Sequence, residues 1–119
     1  KVEYDSLVFC SRNIEKIIIP SHIIKICENA FSCCYQLERV EFDTNSELQI
    51  IEENAFANSG FKSICIPPHV NLIQSNAFNS CYQLIIIEIN ENIDLKSFSR
   101  SLLNTLVIVM VPVNKKHSI

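Results

Sequence analysis

A recurring pattern of apolar residues constrains this chain more than any other feature. It is clearest over residues 55–67, where a small residue and Phe56 are followed by apolar residues five, eight and ten places after the phenylalanine. Related copies begin at Ala30-Phe31 and Ala77-Phe78, and more weakly at Val8-Phe9 and Ser97-Phe98. Periods of roughly 20–29 residues are typical of coiled repeat arrays. The chain is therefore predicted to wind through about five similar turns.

A second regularity spans two turns. The marker phenylalanines lie 22, 25, 22 and 20 residues apart, so Phe9 to Phe56 and Phe31 to Phe78 are both 47 residues. Ile-Pro closes the apolar pattern in the odd copies, whereas Cys-Tyr-Gln-Leu opens it in the even copies, at residues 34–37 and 81–84. The sequence thus predicts a single array over residues 1–119, divided as 1–8 (the end of a preceding repeat), 9–30, 31–55, 56–77, 78–97 and 98–119.

Each copy contains a short alternation of apolar and other residues, which indicates a strand with one face inward. Proline ends such a strand in the odd copies because it cannot donate to a ladder. Strands are predicted near residues 15–19, 38–42, 62–66, 85–89 and 104–108, with five rings in one interior column: Phe9, Phe31, Phe56, Phe78 and Phe98. Tyr4 is expected in the position of Ile26. The last register is open, because Pro112 could instead end a strand over residues 106–111.

These residues resemble the BspA-like (Treponema pallidum-type) leucine-rich repeats, whose pattern is L-x-x-I-x-I-P-x-x-V-x-x-I-x-x-x-A-F-x-x-C-x-x-L. The resemblance covers residues 4–108. It implies a right-handed leucine-rich-repeat solenoid with a concave parallel sheet and short strands or helical turns on the convex side. It also implies a cell-surface protein that adheres to other proteins, without catalytic residues. The even copies depart from the pattern by lacking proline, and the return over residues 93–98 is shortened.

Composition narrows the function classes. Hydrophobic residues make up 48% of the chain, which is enough for a sizeable core. The net charge of −3 and the absence of a Lys/Arg cluster argue against binding of nucleic acid. No apolar run approaches the roughly 20 residues of a membrane span. His22 and His69 repeat one loop position, and no Cys-x-x-Cys or His-x-x-x-His pair occurs, so neither a metal, a cofactor nor an enzyme is expected.

The six cysteines do not read as a disulfide framework. Cys34 and Cys81 lie two turns apart, about 10 Å if stacked strands are about 4.8 Å apart, which is too far for a bridge. Only Cys10 with Cys33 or Cys34 has plausible geometry, and most cysteines are expected to be small buried residues. The unpaired thiols and the absence of glycosylation sequons favour an intracellular location, against the cell surface that the resemblance implies.

The predicted binding site is the outward face of the strands, because side chains of successive strands align in columns. One column is Ile18, Glu41, Cys65, Glu88 and Val107, and another is Lys16, Arg39, Ser63, Ile86 and Thr105. The partner residues are expected to be Lys16, Ile18, Arg39, Glu41, Ser63, Cys65, Ile86 and Glu88. Mixed charges and exposed aliphatic residues favour a protein partner. Tyr35 and Tyr82 are expected to be half-buried packing residues.

Two functions remain open at this stage. The first is a non-enzymatic protein-protein interaction module that presents the concave repeat surface, such as an adhesin. The second is a structural scaffold layer within a larger intracellular assembly. Neither end has a polar capping unit, so neighbouring repeats or another chain are expected to cover both ends, as in a fragment of a longer array.

Overall fold

The computed structural model describes residues 4–112. Within these residues nine short strands follow one another, and one helical segment precedes the last of them. The strands are β1 Ser6–Leu7, β2 Lys16–Ile19, β3 Lys25–Ile26, β4 Arg39–Phe42, β5 Ile50–Ile51, β6 Ser63–Cys65, β7 Leu72–Ile73, β8 Ile86–Glu88 and β9 Ile108–Met110. The helical segment consists of α1, Leu95–Phe98, and a 3-10 turn, Ser99–Leu102.

The strands form two layers that the chain visits in turn. The minor sheet joins β1, β3, β5 and β7 in parallel, and each contributes two residues. The longer strands form the major sheet, in which β2 pairs with β4, β6 with β8, and β8 with β9, all in parallel. This is a parallel-strand solenoid of about five turns, and it confirms the fold expected from the sequence. The first four predicted long strands agree with the structure to within one residue at each end.

The core contains a stack of aromatic rings contributed by consecutive turns. Phe31 lies parallel to Phe56 with ring centroids 5.0 Å apart, and Phe56 lies parallel to Phe78 at 5.5 Å. Phe61 meets the last two edge-on. Aromatic pairs of this kind contribute about 0.5–1.5 kcal/mol beyond the burial of their area. The rings therefore couple the middle turns to one another as well as filling the space between the sheets.

Asparagine makes the tight turn before each of these rings possible. Asn29, Asn54 and Asn76 have positive φ angles of 62°, 58° and 62°. This left-handed conformation is unfavourable for most side chains, but asparagine tolerates it. The buried alanine that follows each asparagine then lets the turns approach closely.

Side-chain donors of three turns bond to the backbone carbonyl of the core phenylalanine in the turn before. The Ser59 hydroxyl donates to the carbonyl of Phe31 at 2.8 Å, and the Thr105 hydroxyl donates to that of Phe78 at 2.6 Å. Between them, the Cys81 thiol lies 3.1 Å from the carbonyl of Phe56. Ser59, Cys81 and Thr105 are all buried, so these bonds satisfy backbone carbonyls that water does not reach.

The predicted ring column is wrong at its first member. Phe9 is 66% exposed, and the guanidinium of Arg12 lies 4.4 Å from its ring centroid. Cys10 holds the equivalent backbone position, since its N–H bonds to Ala30 as that of Phe31 bonds to Ala55. Tyr4 is also misplaced by the sequence argument: Leu7 pairs with Ile26, and Tyr4 is exposed. The first turn is shorter than the later ones, which shifts its register.

The last turn corrects a second expectation. The strand predicted at residues 104–108 lies instead at Ile108–Met110, so the alternative register with Pro112 just beyond the strand is the right one. The side chain of Asp94 accepts the N–H of Lys96 and starts α1, which with the 3-10 turn lengthens the return segment. The backbone carbonyl of Ser101 accepts the N–H of Phe78, so Ser101 takes the position that alanine holds in the earlier turns. Phe98 packs into the core from α1.

The major sheet is interrupted between its second and third strands. β4 and β6 are neighbours in space but share no hydrogen-bonded ladder. The third turn has one residue fewer before its strand, with Ser59-Gly60-Phe61 in place of Cys34-Tyr35-Gln36-Leu37. Gly60 N–H donates to the carbonyl of Cys34 at 3.2 Å and draws the two turns together just before this gap. We call the unpaired boundary between β4 and β6 the seam.

Candidate functional site

The major sheet places the eight predicted partner residues on its outer face. Cross-strand pairs bring together Lys16 with Arg39, Ile18 with Glu41, Ser63 with Ile86, and Cys65 with Glu88. Seven of the eight are exposed and Ile86 is half-buried. Inward residues alternate with them, because successive side chains of a strand point to opposite faces. The seam divides the rows into a β2–β4 half and a β6–β8 half.

The two rows end differently from what the sequence predicted. Ile108 pairs with Ile86 and Met110 with Glu88, so these two residues replace Thr105 and Val107 as the last members. Thr105 is instead buried, where its hydroxyl bonds to a core carbonyl. The signal for the correct register was Pro112, two residues beyond the end of the strand.

The outer face combines aliphatic side chains with weakly paired charges. Ile18 is 65% exposed, and Ile108 and Met110 extend the apolar character to the far edge. The only ion pair on this face among residues 4–112 joins Arg39 Nε to Glu41 Oε1 at 3.8 Å. Both groups are solvated, so the pair adds little stability and leaves the charges available.

Cys65 and Glu88 interact across adjacent strands on this face. The pKa of the Cys65 thiol is raised, first by partial burial and then by a hydrogen bond to Glu88 and by the negative charge of that carboxylate. The thiol of Cys65 is therefore harder to ionise than an unperturbed cysteine. A protonated thiol is a poor nucleophile.

An open groove runs along the side where the chain enters the long strands. Its volume is about 910 Å³, and its lining comes from four turns: Glu15, Lys16, Tyr35, Gln36, Glu38, Arg39, Gly60, Lys62 and Gln83. Gly60 lies in the middle, where the shorter third turn is recessed between the second and fourth. We call this the entry groove.

The two equivalent tyrosines are both exposed, and Tyr35 lines the entry groove. Tyr35 is 70% exposed and Tyr82 is 77% exposed, so the expectation that they are half-buried packing residues is wrong. The inward places in their turns are taken by the preceding cysteine and the following leucine, which are buried in both copies. Both rings are thereby left in solvent.

A smaller groove of about 370 Å³ lies at the opposite end of the seam. Its lining includes Glu41, Phe42, Cys65 and Pro67. The seam thus connects two depressions on the same face of the molecule.

Within residues 4–112, His, Cys, Asp and Glu do not gather in groups of three or more that could hold a metal ion. His22 and His69 both lie exposed after a proline, as loop residues. All six cysteines are free, and only Cys34 and Cys81 are buried, so the expectation that most are buried is wrong. Over the same residues, no helix has the length and apolar character needed to cross a membrane.

Comparison with known proteins agrees with this architecture. A family model described as "BspA type Leucine rich repeat region (6 copies)" matches residues 3–115. A leucine rich cell surface protein from Faecalibacterium prausnitzii A2-165 is similar in structure, with a TM-score of 0.65 and 21% identity over 96% of this chain and 34% of that one. The pneumococcal vaccine antigen PcpA has a TM-score of 0.55 and 26% identity over 66% of this chain and 22% of that one.

The chain therefore spans about a third or less of the length of these two structures. A search of curated proteins gave no match.

Proposed function

Because the chain belongs to the BspA-type leucine-rich repeat family, we propose that it is a non-enzymatic module that binds protein partners through the outer face of its major sheet. One observation carries this proposal: successive strands align outward side chains in two rows that mix aliphatic, acidic and basic residues. Such rows are rigid before binding, so a partner can contact several turns without ordering a loop. Arg39, Glu41, Cys65 and Glu88 lie at the centre of the face.

The acidic residues of the face provide the test. Wild-type protein is immobilised and screened against a panel of purified extracellular-matrix proteins, and the affinity of each binder is measured. Glu41→Lys with Glu88→Lys is expected to weaken a true partner more than tenfold, about 1.4 kcal/mol. Both carboxylates are exposed, so the melting temperature should hardly change.

A matched control separates this face from the exposed tyrosines of the even turns. Tyr35→Ala with Tyr82→Ala removes two exposed rings outside the rows of the major sheet. If affinity survives the double charge reversal and falls in the tyrosine variant, the outer face of the sheet is not the binding surface.

The adhesin form of the proposal draws support from the comparisons. The Faecalibacterium protein is described as a cell surface protein, and PcpA as a vaccine antigen. The proposed partners are then proteins of another cell or of its matrix. Binding to at least one matrix protein, with the charge-reversal effect above, is the expected result.

The second candidate function is a structural scaffold layer within an intracellular assembly. It is favoured by the six free cysteines, since exposed thiols such as Cys33 and Cys65 persist in reducing compartments. Quantitative alkylation of six thiols in protein isolated from its native source supports the scaffold. A bridge from Cys10 to Cys33 or Cys34 in that material supports the surface location.

We also propose that neighbouring repeats or another chain cover the last described turn, and that the 119 residues form one array within a longer one. Leu106 is 97% exposed, and Leu103 and Ile108 beside it are also exposed. Among residues 4–112, β9 pairs only with β8, so its other edge offers backbone groups that no described strand pairs with. A further turn of solenoid has the shape and hydrogen-bonding pattern to cover both.

A further inference from the structure

Cys10 and Cys34 occupy two positions that contact each other at every later boundary between turns. Cys10 holds the place of the repeat phenylalanine in the first turn, and Cys34 lies three residues after the repeat phenylalanine of the second. In the next three turns, the residue in the place of Cys34 bonds to the carbonyl of the residue in the place of Cys10; these residues are Ser59, Cys81 and Thr105. The fold therefore directs the side chain of Cys34 toward the backbone of Cys10.

A guanidinium lies beside both cysteines at this first boundary. Arg12 Nη1 donates to the sulfur of Cys34 at 3.7 Å and to the carbonyl of Cys10 at 3.5 Å. Cys34 is completely buried, whereas Cys10 is half-buried and packs against the core cluster that contains Cys34. Burial raises the pKa of the Cys10 thiol, and the nearby Cys34 raises it further. The two thiols are thus close together between the first and second turns.

We propose that Cys10 and Cys34 form a reversible disulfide that joins the first turn to the second, by exchange with glutathione disulfide. Cys10 is the more accessible thiol, so it loses its proton first, and its sulfur attacks one sulfur of glutathione disulfide. One glutathione leaves as a thiolate and takes up a proton. Cys34 then loses its proton and attacks the Cys10 sulfur of the mixed disulfide, which releases the second glutathione. Two protein thiols are oxidised and one glutathione disulfide is reduced.

The other cysteines near this boundary do not offer the same pairing. Cys33 has a positive φ angle of 60°, and its thiol is exposed. A hydrogen bond joins it to the hydroxyl of Tyr35 and raises the pKa of that phenol. Cys81 is equivalent to Cys34, but the residue it bonds to in the turn before is Phe56, which has no thiol. Cys10 and Cys34 are therefore the pair that the repeat brings together.

The bridge would supply a coupling that the first turn lacks. Stacked rings connect the second, third and fourth turns, but Cys10 stands where a further ring would extend the stack to the first. A disulfide that closes residues 10–34 also restricts the unfolded chain. Oxidation should therefore hold the first turn against the second, and reduction should release it.

The thiol–disulfide equilibrium of the purified protein tests this pairing. The protein is equilibrated with mixtures of reduced and oxidised glutathione, quenched with acid, alkylated in urea, digested and analysed by mass spectrometry. We expect a peptide linked through Cys10 and Cys34 in the monomer, with two of the six thiols protected from alkylation. The equilibrium constant for this bridge should be roughly 100-fold larger in native buffer than in concentrated urea, because folding brings the two thiols together. Equal constants, or no linked peptide at any glutathione ratio, would overturn the inference.

Two substitutions identify the partners. Cys10→Ser should abolish the bridge and leave Cys34 open to alkylation in urea. Cys33→Ser is the matched control, because it changes the neighbouring thiol and should leave the equilibrium constant unchanged. If the wild-type bridge joins Cys10 to Cys33, or if Cys33→Ser abolishes it, the inference is wrong. Neither Cys10 nor Cys34 belongs to the rows of the major sheet, so the proposed binding function stands or falls separately.

Discussion

Gly60→Ala tests the closest approach between two turns of the solenoid. A Cβ atom added at Gly60 would lie 3.0 Å from the carbonyl carbon of Tyr35 and 3.4 Å from the oxygen of Leu37, with the oxygen of Tyr35 closer still. These are backbone atoms that cannot rotate away. The φ angle of Gly60 is not positive, so the need for glycine here comes from space and not from backbone conformation.

The magnitude follows from two opposing effects. Overpacking of this kind costs about 1–3 kcal/mol. Alanine also restricts the unfolded chain more than glycine does, which returns about 0.4–1 kcal/mol. We expect a net loss of about 1–2 kcal/mol, which lowers the melting temperature by roughly 5–10 °C for a domain of this size.

Urea and thermal unfolding followed by circular dichroism measure this change. Gln83→Ala is the matched control, because it is exposed in the equivalent region of the fourth turn and should alter stability by no more than about 0.5 kcal/mol. If Gly60→Ala is as stable as wild type, the two turns do not approach as closely as described. The account of the recess and of the entry groove then fails with it.

Three further predictions address the core and its titration. Phe56→Ala should cost about 3–5 kcal/mol because it removes the central ring of the stack, whereas Phe9→Ala should cost under about 1 kcal/mol; similar losses in urea unfolding would contradict the described ring stack. Thr105→Val should cost about 1–3 kcal/mol by leaving the carbonyl of Phe78 without its donor, and a neutral effect would argue against that bond. Burial raises the pKa of Cys81 from 9.0 to about 11. The folded state then holds its proton above pH 9, where the unfolded state loses it, so about 2–3 kcal/mol of stability should disappear as pH rises from 9 past 11. Cys81→Ala should show a shallower alkaline decline in its urea midpoint, and an unchanged slope would refute this reading.

The sequence predicted the middle of the molecule well because each signal there is local. From Phe31 to Ile89 the apolar spacing, the turn asparagines and the strand alternation all indicate the same register, and the structure has it. The outward rows followed directly, since alternation along a strand decides which side chains face solvent. Whether those rows bind a partner is a property of the partner as well, so the site stays a prediction.

The two ends could not be predicted in the same way. A phenylalanine is equally hydrophobic in a helix and in a tight turn. The pattern therefore indicates Phe98 as the repeat phenylalanine, although Leu102 holds that position in the structure. At the other end, Arg12 lies against the exposed ring of Phe9, and Cys10 takes the backbone position of the repeat phenylalanine. The sequence did not indicate the seam either. The single residue missing before Phe61 affects the pairing of β4 with β6, and these two strands are distant in sequence.

That seam makes the array mechanically uneven. Backbone groups of Ser63 and Cys65 point toward β4, since the alternate groups at Lys62 and Ile66 bond to the fourth turn. A pull along the solenoid axis is therefore carried across this boundary by the minor sheet and the ring stack, without a ladder in the major sheet. Between the first and second turns both sheets share the load, and between the third and fourth turns the three-residue ladder of β6 and β8 carries it. Under tension the molecule should separate first between its second and third turns. A partner bound on both sides of this boundary would hold the two turns together.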